Sequence, residues 1–255
     1  MRMGIGSGLV FALALGAPAG AEDYCNHKAE RSAGLDAAGA TRVEVVARAG
    51  SLKVQGRAGL QKLSASGTAC AASVAQLEQV QILATRQGGT LRVEARVPEG
   101  SWGMGNASLD LTVELPDSLA LKVEDSSGSL EVRGVASLDL ADSSGGIVVE
   151  DVKGDLAVQD SSGEMRLARV GGDLRVSDSS GEIEITRVGG RVEVVEDSSG
   201  GMRIAEVAGG VVVRRDSSGE IDVRDVGGDF TVERDGSGGI RHSGVRGKVS
   251  LPAGK

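Results

Sequence analysis

Residues 178–200 read DSSGEIEITRVGGRVEVVEDSSG, a stretch that opens and closes on the same four letters. DSSG begins at Asp125, Asp142, Asp160, Asp178, Asp197 and Asp216, and a variant, DGSG, begins at Asp235; the spacings are 17, 18, 18, 19, 19 and 19 residues. A period of this length marks a repeat architecture in which each unit stacks on its neighbours. Between corners the apolar residues keep fixed offsets. After Asp178 they are Ile183, Ile185, Val188, Val192 and Val194; the repeat before has Met165, Leu167, Val170, Leu174 and Val176, and the repeat after has Met202, Ile204, Val207, Val211 and Val213. Alternation with period two makes each repeat two short strands, joined by a glycine corner such as Gly189-Gly190 and by the DSSG corner.

The changes in repeat length fall at the corners, the extra residue entering just before the Asp, while strand interiors stay constant. Two folds could use such corners. An antiparallel meander would leave one broad apolar face that residues 22–124 cannot cover. A parallel β-solenoid turns both strands of each coil toward a shared interior and stacks identical residues about 4.8 Å apart. The outward column Arg166, Glu184, Arg203, Asp222, Arg241 alternates in sign, as adjacent rungs prefer. The reading is therefore all-β: a parallel β-solenoid with two short strands per 17–19-residue coil, right-handed by the crossover rule.

Composition agrees. Gly is 40 of 255 residues and aromatics are 2%, so Val, Ile and Leu must fill a thin, layered core. Arg2, the apolar run Leu9 to Leu15 and the small residues Ala19-Gly20-Ala21 have the layout of a secretory signal peptide, too short to span a bilayer. The domain reading is a signal peptide at 1–21, an N-terminal cap segment at 22–40, irregular coils at 41–124 and the regular solenoid with its C-terminal cap at 125–255. Ala71 to Val80 suits a short helix. A formal charge of −8 argues against nucleic acid or an anionic membrane as partner. Two cysteines in an exported chain point to one disulfide, Cys25 to Cys70.

These residues resemble a large exported bacterial family of β-strand-repeat proteins, a domain-of-unknown-function family described as proposed adhesins. The resemblance rests on DSSG corners followed by GEIEI (181–185) and by GDLRV (172–176), on ARAGSLKVQG and on SGTAC around Cys70, and it covers most of residues 41–251. It implies a β-helical fold and an envelope location. It implies no established activity, and no catalytic or binding residues come with it.

The DSSG corner supplies Asp and Ser, but a nucleophilic serine needs a base within reach. The two histidines, His27 and His242, lie near opposite ends, no G-x-S-x-G elbow is present, and six intact copies do not describe a unique active site. Asp125, Asp142, Asp160, Asp178, Asp197, Asp216 and Asp235 would stack at rung spacing, with about 0.9 kcal/mol of repulsion per adjacent pair even at the dielectric constant of water. Calcium bridging successive rungs is one remedy, making the protein a calcium-stabilised repeat. The alternative favoured here is an Asx-turn, with Ser N–H groups bonding the carboxylate, Gly128, Gly145, Gly163, Gly181, Gly200, Gly219 and Gly238 at positive φ, and solvent with Arg214, Arg215 and Arg234 diluting the charge. Of the aromatics outside the leader, Phe230 falls in an apolar column, and Trp102 sits in the glycine-rich EGSWGMGNAS (99–108), where packing on a coil edge or cap is favoured over an exposed loop platform. Together these features describe a non-enzymatic, cofactor-free protein, exported to the periplasm or cell surface, structural or adhesin-like. Its partner would be an envelope polymer or protein, engaged on flat repeat faces.

Overall fold

The computed structural model describes residues 25–98 and 107–254. The segment 1–21 expected to be a signal peptide and Trp102 lie outside the described residues. Nearly every element is a strand, and the strands form two eleven-stranded sheets plus a two-stranded ribbon. Successive coils contribute Leu130–Val135, Ile147–Val152, Met165–Val170, Ile183–Val188, Met202–Val207, Ile221–Val226 and Ile240–Val245 to one sheet. The other sheet takes Ser137–Ala141, Leu156–Gln159, Leu174–Ser177, Val192–Glu196, Val211–Val213, Phe230–Val232 and Val249–Ser250. All these neighbours pair in parallel, so the fold is a β-solenoid and not a meander.

Register follows the columns. Ile147, Met165, Ile183, Met202, Ile221 and Ile240 pair in succession along one sheet. Leu156, Leu174, Val192, Val211 and Phe230 do so along the other. The interior columns are closed to solvent, which is where a chain poor in aromatics finds its stability: thin layers of aliphatic side chains touching above, below and across. Where the repeat lengthens to 19, the pairing slips between Val176 and Ser177, Ser177 meeting Glu196, so a bulge just before the Asp takes up the added residue.

The first coil departs from simple chain order. Arg42–Val46 and Leu52–Arg57 lie beneath Ala120–Glu124 and Leu130–Val135. On their other side they pair with Thr90–Arg96 and Ser108–Pro116. The chain thus leaves after Arg57, builds the end of the solenoid, and returns at Ala120 to continue it. At that end the pairing turns antiparallel: Lys62–Ala71 on Ser108–Pro116, His27–Asp36 on Lys62–Ala71, and Gln81–Gln87 on Thr90–Arg96. Helix Val74–Gln79 is N-capped by Ser73, and the Arg31 guanidinium donates to the Leu77 and Val80 carbonyls at its other end. The helix is shorter than Ala71 to Val80 because Ala71 completes a strand.

A disulfide joins Cys25 to Cys70, with Cα atoms 5.3 Å apart, and pins the outermost strand. Closing a loop between residues 45 apart in sequence is worth roughly 4 kcal/mol on the chain-entropy model. Cys70→Ser should therefore lower the melting temperature, and hydrogen exchange should rise first in His27–Asp36. Exchange rising equally in the distant coils would contradict that local role.

Candidate functional site

Each DSSG corner uses its four residues differently. The Asp turns inward, and in the first four corners its Oδ1 accepts the next N–H: Ser126 to Asp125 at 2.8 Å, Ser143 to Asp142 at 2.8 Å, Ser161 to Asp160 at 2.7 Å and Ser179 to Asp178 at 2.7 Å. The second Ser donates its hydroxyl to the first Ser carbonyl one coil back, as from Ser144 to Ser126 at 3.2 Å and from Ser180 to Ser161 at 3.2 Å. The Gly lies at positive φ, from +116° at Gly128 to +148° at Gly181. A Cβ on Gly181 would stand 1.7 Å from the Gly163 carbonyl oxygen, so the corners stack only because this column has no side chains.

The aspartates form a buried row. Asp125, Asp142, Asp160, Asp178, Asp197 and Asp216 are between 0 and 6% exposed. The Oδ2 atoms of the first four have no hydrogen-bond donor, and neither do both oxygens of Asp197. Burial is the main force on their titration. It raises Asp142 and Asp178, and it lifts Asp125, Asp160 and Asp216 to about 6, against the pull of the Ser amides. Asp197 reaches about 7 through burial first and then the neighbouring Asp216 and Asp178.

Two sequence expectations need correction here. Arg214 and Arg215 do not neutralise this row: Arg214 reaches Glu193 and Glu233, and Arg215 reaches Glu196, all on the outer surface. Nor does solvent dilute it, because the carboxyls are inside. Among the described residues, no three His, Cys, Asp or Glu side chains converge as a metal-binding set. The His242 ring lies 5.9 Å from Phe230.

The outward faces carry ordered charge. Arg166, Glu184, Arg203, Asp222 and Arg241 are rung neighbours, as the alternation required. Their ion pairs are more local than the column implied. Arg166 bonds Glu184 at 3.3 Å and also Glu164, whereas Arg203 turns to Glu182, Arg241 to Glu220, and Asp222 holds Arg224 at 2.6 Å. Beside this column runs a row of small residues, Ala168, Thr186 and Ala205, in register. It floors a shallow depression of about 270 Å³ at Thr186 and Ala205, edged by Glu184, Arg203, Asp222 and Arg224.

Residues 62–240 match the family model Toastrack DUF4097. The chain belongs to the Toastrack family. Among curated proteins none matches it. Solved structures similar to this Toastrack chain include a proposed cell adhesion protein from Clostridium sporogenes, 12% identical, with TM-score 0.32 over 88% of this chain and 99% of that one. A proposed adhesin from Parabacteroides merdae is 9% identical, with TM-score 0.32 over 89% and 97%. A proposed lipid binding protein from Parabacteroides distasonis is 14% identical, with TM-score 0.35 over 89% and 97%.

Two features of the Toastrack coils escaped the sequence reading. The residue before each corner valine is left-handed: Asp151, Arg169, Arg187, Glu206 and Asp225 all have φ between +53° and +60°. Glycine at the same place in the first and last coils, Gly134 and Gly244, is the signal that could have shown it. The second is the Asp after the glycine corner. Asp155 Oδ1 accepts the Asp173 N–H at 2.9 Å, and Asp173 Oδ1 accepts the Arg191 N–H at 3.0 Å, tying coil to coil.

Proposed function

We propose that this protein is an exported, non-enzymatic solenoid of the cell envelope or surface that holds an envelope polymer or another protein against its outward faces. The observation that carries the reading is the charge-edged row Ala168, Thr186 and Ala205. It gives an extended ligand a floor of small side chains at regular rung spacing, with ionic partners of both signs along one edge. The signal-peptide layout supports export. The use of the Ser144, Ser162, Ser180 and Ser218 hydroxyls in coil-to-coil bonding supports a structural corner over a nucleophile. Among the described residues no helix is long and apolar enough to cross a membrane.

The test is binding of envelope fractions to immobilised protein. Thr186→Trp with Ala205→Trp fills the row from outside the core. These changes should abolish capture while leaving the melting temperature within a few degrees, as surface substitutions do. Capture unaffected by the double variant, with the fold intact, would remove this face from the proposal.

A further inference from the structure

The buried aspartates present a physical problem. Their coils pair in parallel along adjoining strands, and Asp197 pairs with Asp216 and Asp216 with Asp235 as direct rung partners. Ionised carboxylates only accept hydrogen bonds, and unpaired charge in such a place is costly. Asp216 and Asp235 face each other across one rung, and Asp235 raises the Asp216 carboxyl after burial has done so. A proton held on one carboxyl of such a pair removes the repulsion and turns that group into a donor.

Charged groups that could relieve the row are turned elsewhere. Glu124, beside Asp125, is held by Lys122 at 2.7 Å. Glu196 and Arg215, beside Asp197 and Asp216, are held by each other at 3.0 Å. From neighbouring coils, the charges acting on these carboxyls are those of the row itself: Asp142 on Asp125, Asp142 and Asp178 on Asp160, and Asp178 and Asp216 on Asp197.

We propose that the row is a ladder of shared protons, in which a protonated carboxyl on one rung donates to the free oxygen of the next, so that the solenoid is a pH-responsive element that tightens on acidification. The Ser N–H groups hold Oδ1 of Asp125, Asp142, Asp160 and Asp178, leaving Oδ2 there as the atom that takes or accepts the shared proton. The direction follows from linkage. A carboxyl whose folded pKa lies above its unfolded value binds more protons when folded, so its contribution is complete below about pH 4. That contribution is lost as pH rises through the folded values, about 6 for Asp125, Asp160 and Asp216 and about 7 for Asp197. Glu124, Asp151 and Glu193 are displaced downward by Lys122, Arg169 and Arg214 and act in the opposite sense, but they are surface pairs of small weight.

The experiment is a pair of measurements on the purified protein: thermal melts from pH 5 to pH 8, with and without chelator, and carbon NMR titration of the aspartate carboxyls. Melting should be several degrees higher at pH 5 than at pH 8, indifferent to chelator, and ladder carboxyls should titrate over several steps between pH 5 and 8. Asp160→Asn with Asp178→Asn supplies neutral groups of the same shape, and should raise the pH 8 melt and flatten the pH dependence. All aspartates titrating near pH 4, or a melt that falls on acidification from pH 8 to 5, would overturn the ladder. So would a chelator-induced fall in melting, which would mean that a cation neutralises the row. If the Asn variant does not fold, the carboxyl titration of the unaltered protein decides alone.

Discussion

Gly181→Ala should lower stability by about 4 kcal/mol or more, a fall of roughly 10 °C or more in melting temperature for a chain of this size. Two costs coincide at the site. The backbone at φ +148° is a region that residues with a Cβ rarely enter, worth about 1–3 kcal/mol. The added carbon would also lie 1.7 Å from the Gly163 oxygen, and backbone cannot swing aside as a side chain can. Relief requires prising the two coils apart, which breaks the bond from the Gly163 N–H to the Ser180 carbonyl at 3.0 Å. Gly239→Ala is the matched control: a Cβ there meets nothing within 4 Å, and its effect should stay within about 0.5 kcal/mol. Thermal or urea denaturation of both variants measures the contrast, and equal effects would refute the stacking argument.

Phe230→Ala should cost about 3–5 kcal/mol, the range for emptying a buried phenylalanine. Phe230 is fully buried in a column where the two preceding coils place Val192 and Val211 and the next places Val249. Its bulk has a local reason. In the final coil His242 pairs with the buried Val223 but is itself exposed, so the interior lacks an aliphatic group at that level. The ring closes the core beneath it. Melting should fall, and hydrogen exchange should rise first in Ile240–Val245 and Val249–Ser250. Phe230→Leu keeps most of the volume and should cost much less. A Leu variant as damaged as the Ala variant would mean that volume is not what the site requires.

Much of this architecture is legible because a solenoid repeats its packing. Ile183, Ile185, Val188, Val192 and Val194 are interior for the same reason as their equivalents one coil away, so the columns identify both the strands and their register. The order of the first coils is not legible. Leu52–Arg57 meets Leu130–Val135 across an excursion of more than seventy residues, and nothing in VEVVARAGSLKVQG distinguishes that partner from a nearer one. The candidate sites were read less completely. Asp, Ser and Gly announce a turn, but whether the carboxyl points in or out depends on a corner geometry that composition does not encode. The left-handed column was obscured because charged residues at Asp151 to Asp225 hide a backbone need that only Gly134 and Gly244 display.

The solenoid requires residues one repeat apart to lie one rung apart. Spin labels at Glu131→Cys and Arg241→Cys measure this directly by pulsed electron resonance. The two positions share an outward column and are separated by six successive parallel pairings. At about 4.8 Å per rung, the backbone separation is about 29 Å, and a narrow distance distribution near that value is predicted. A meander of the same strands would place the labels twice as many strands apart, at about 58 Å, and a distribution centred there would contradict the stacked-coil fold.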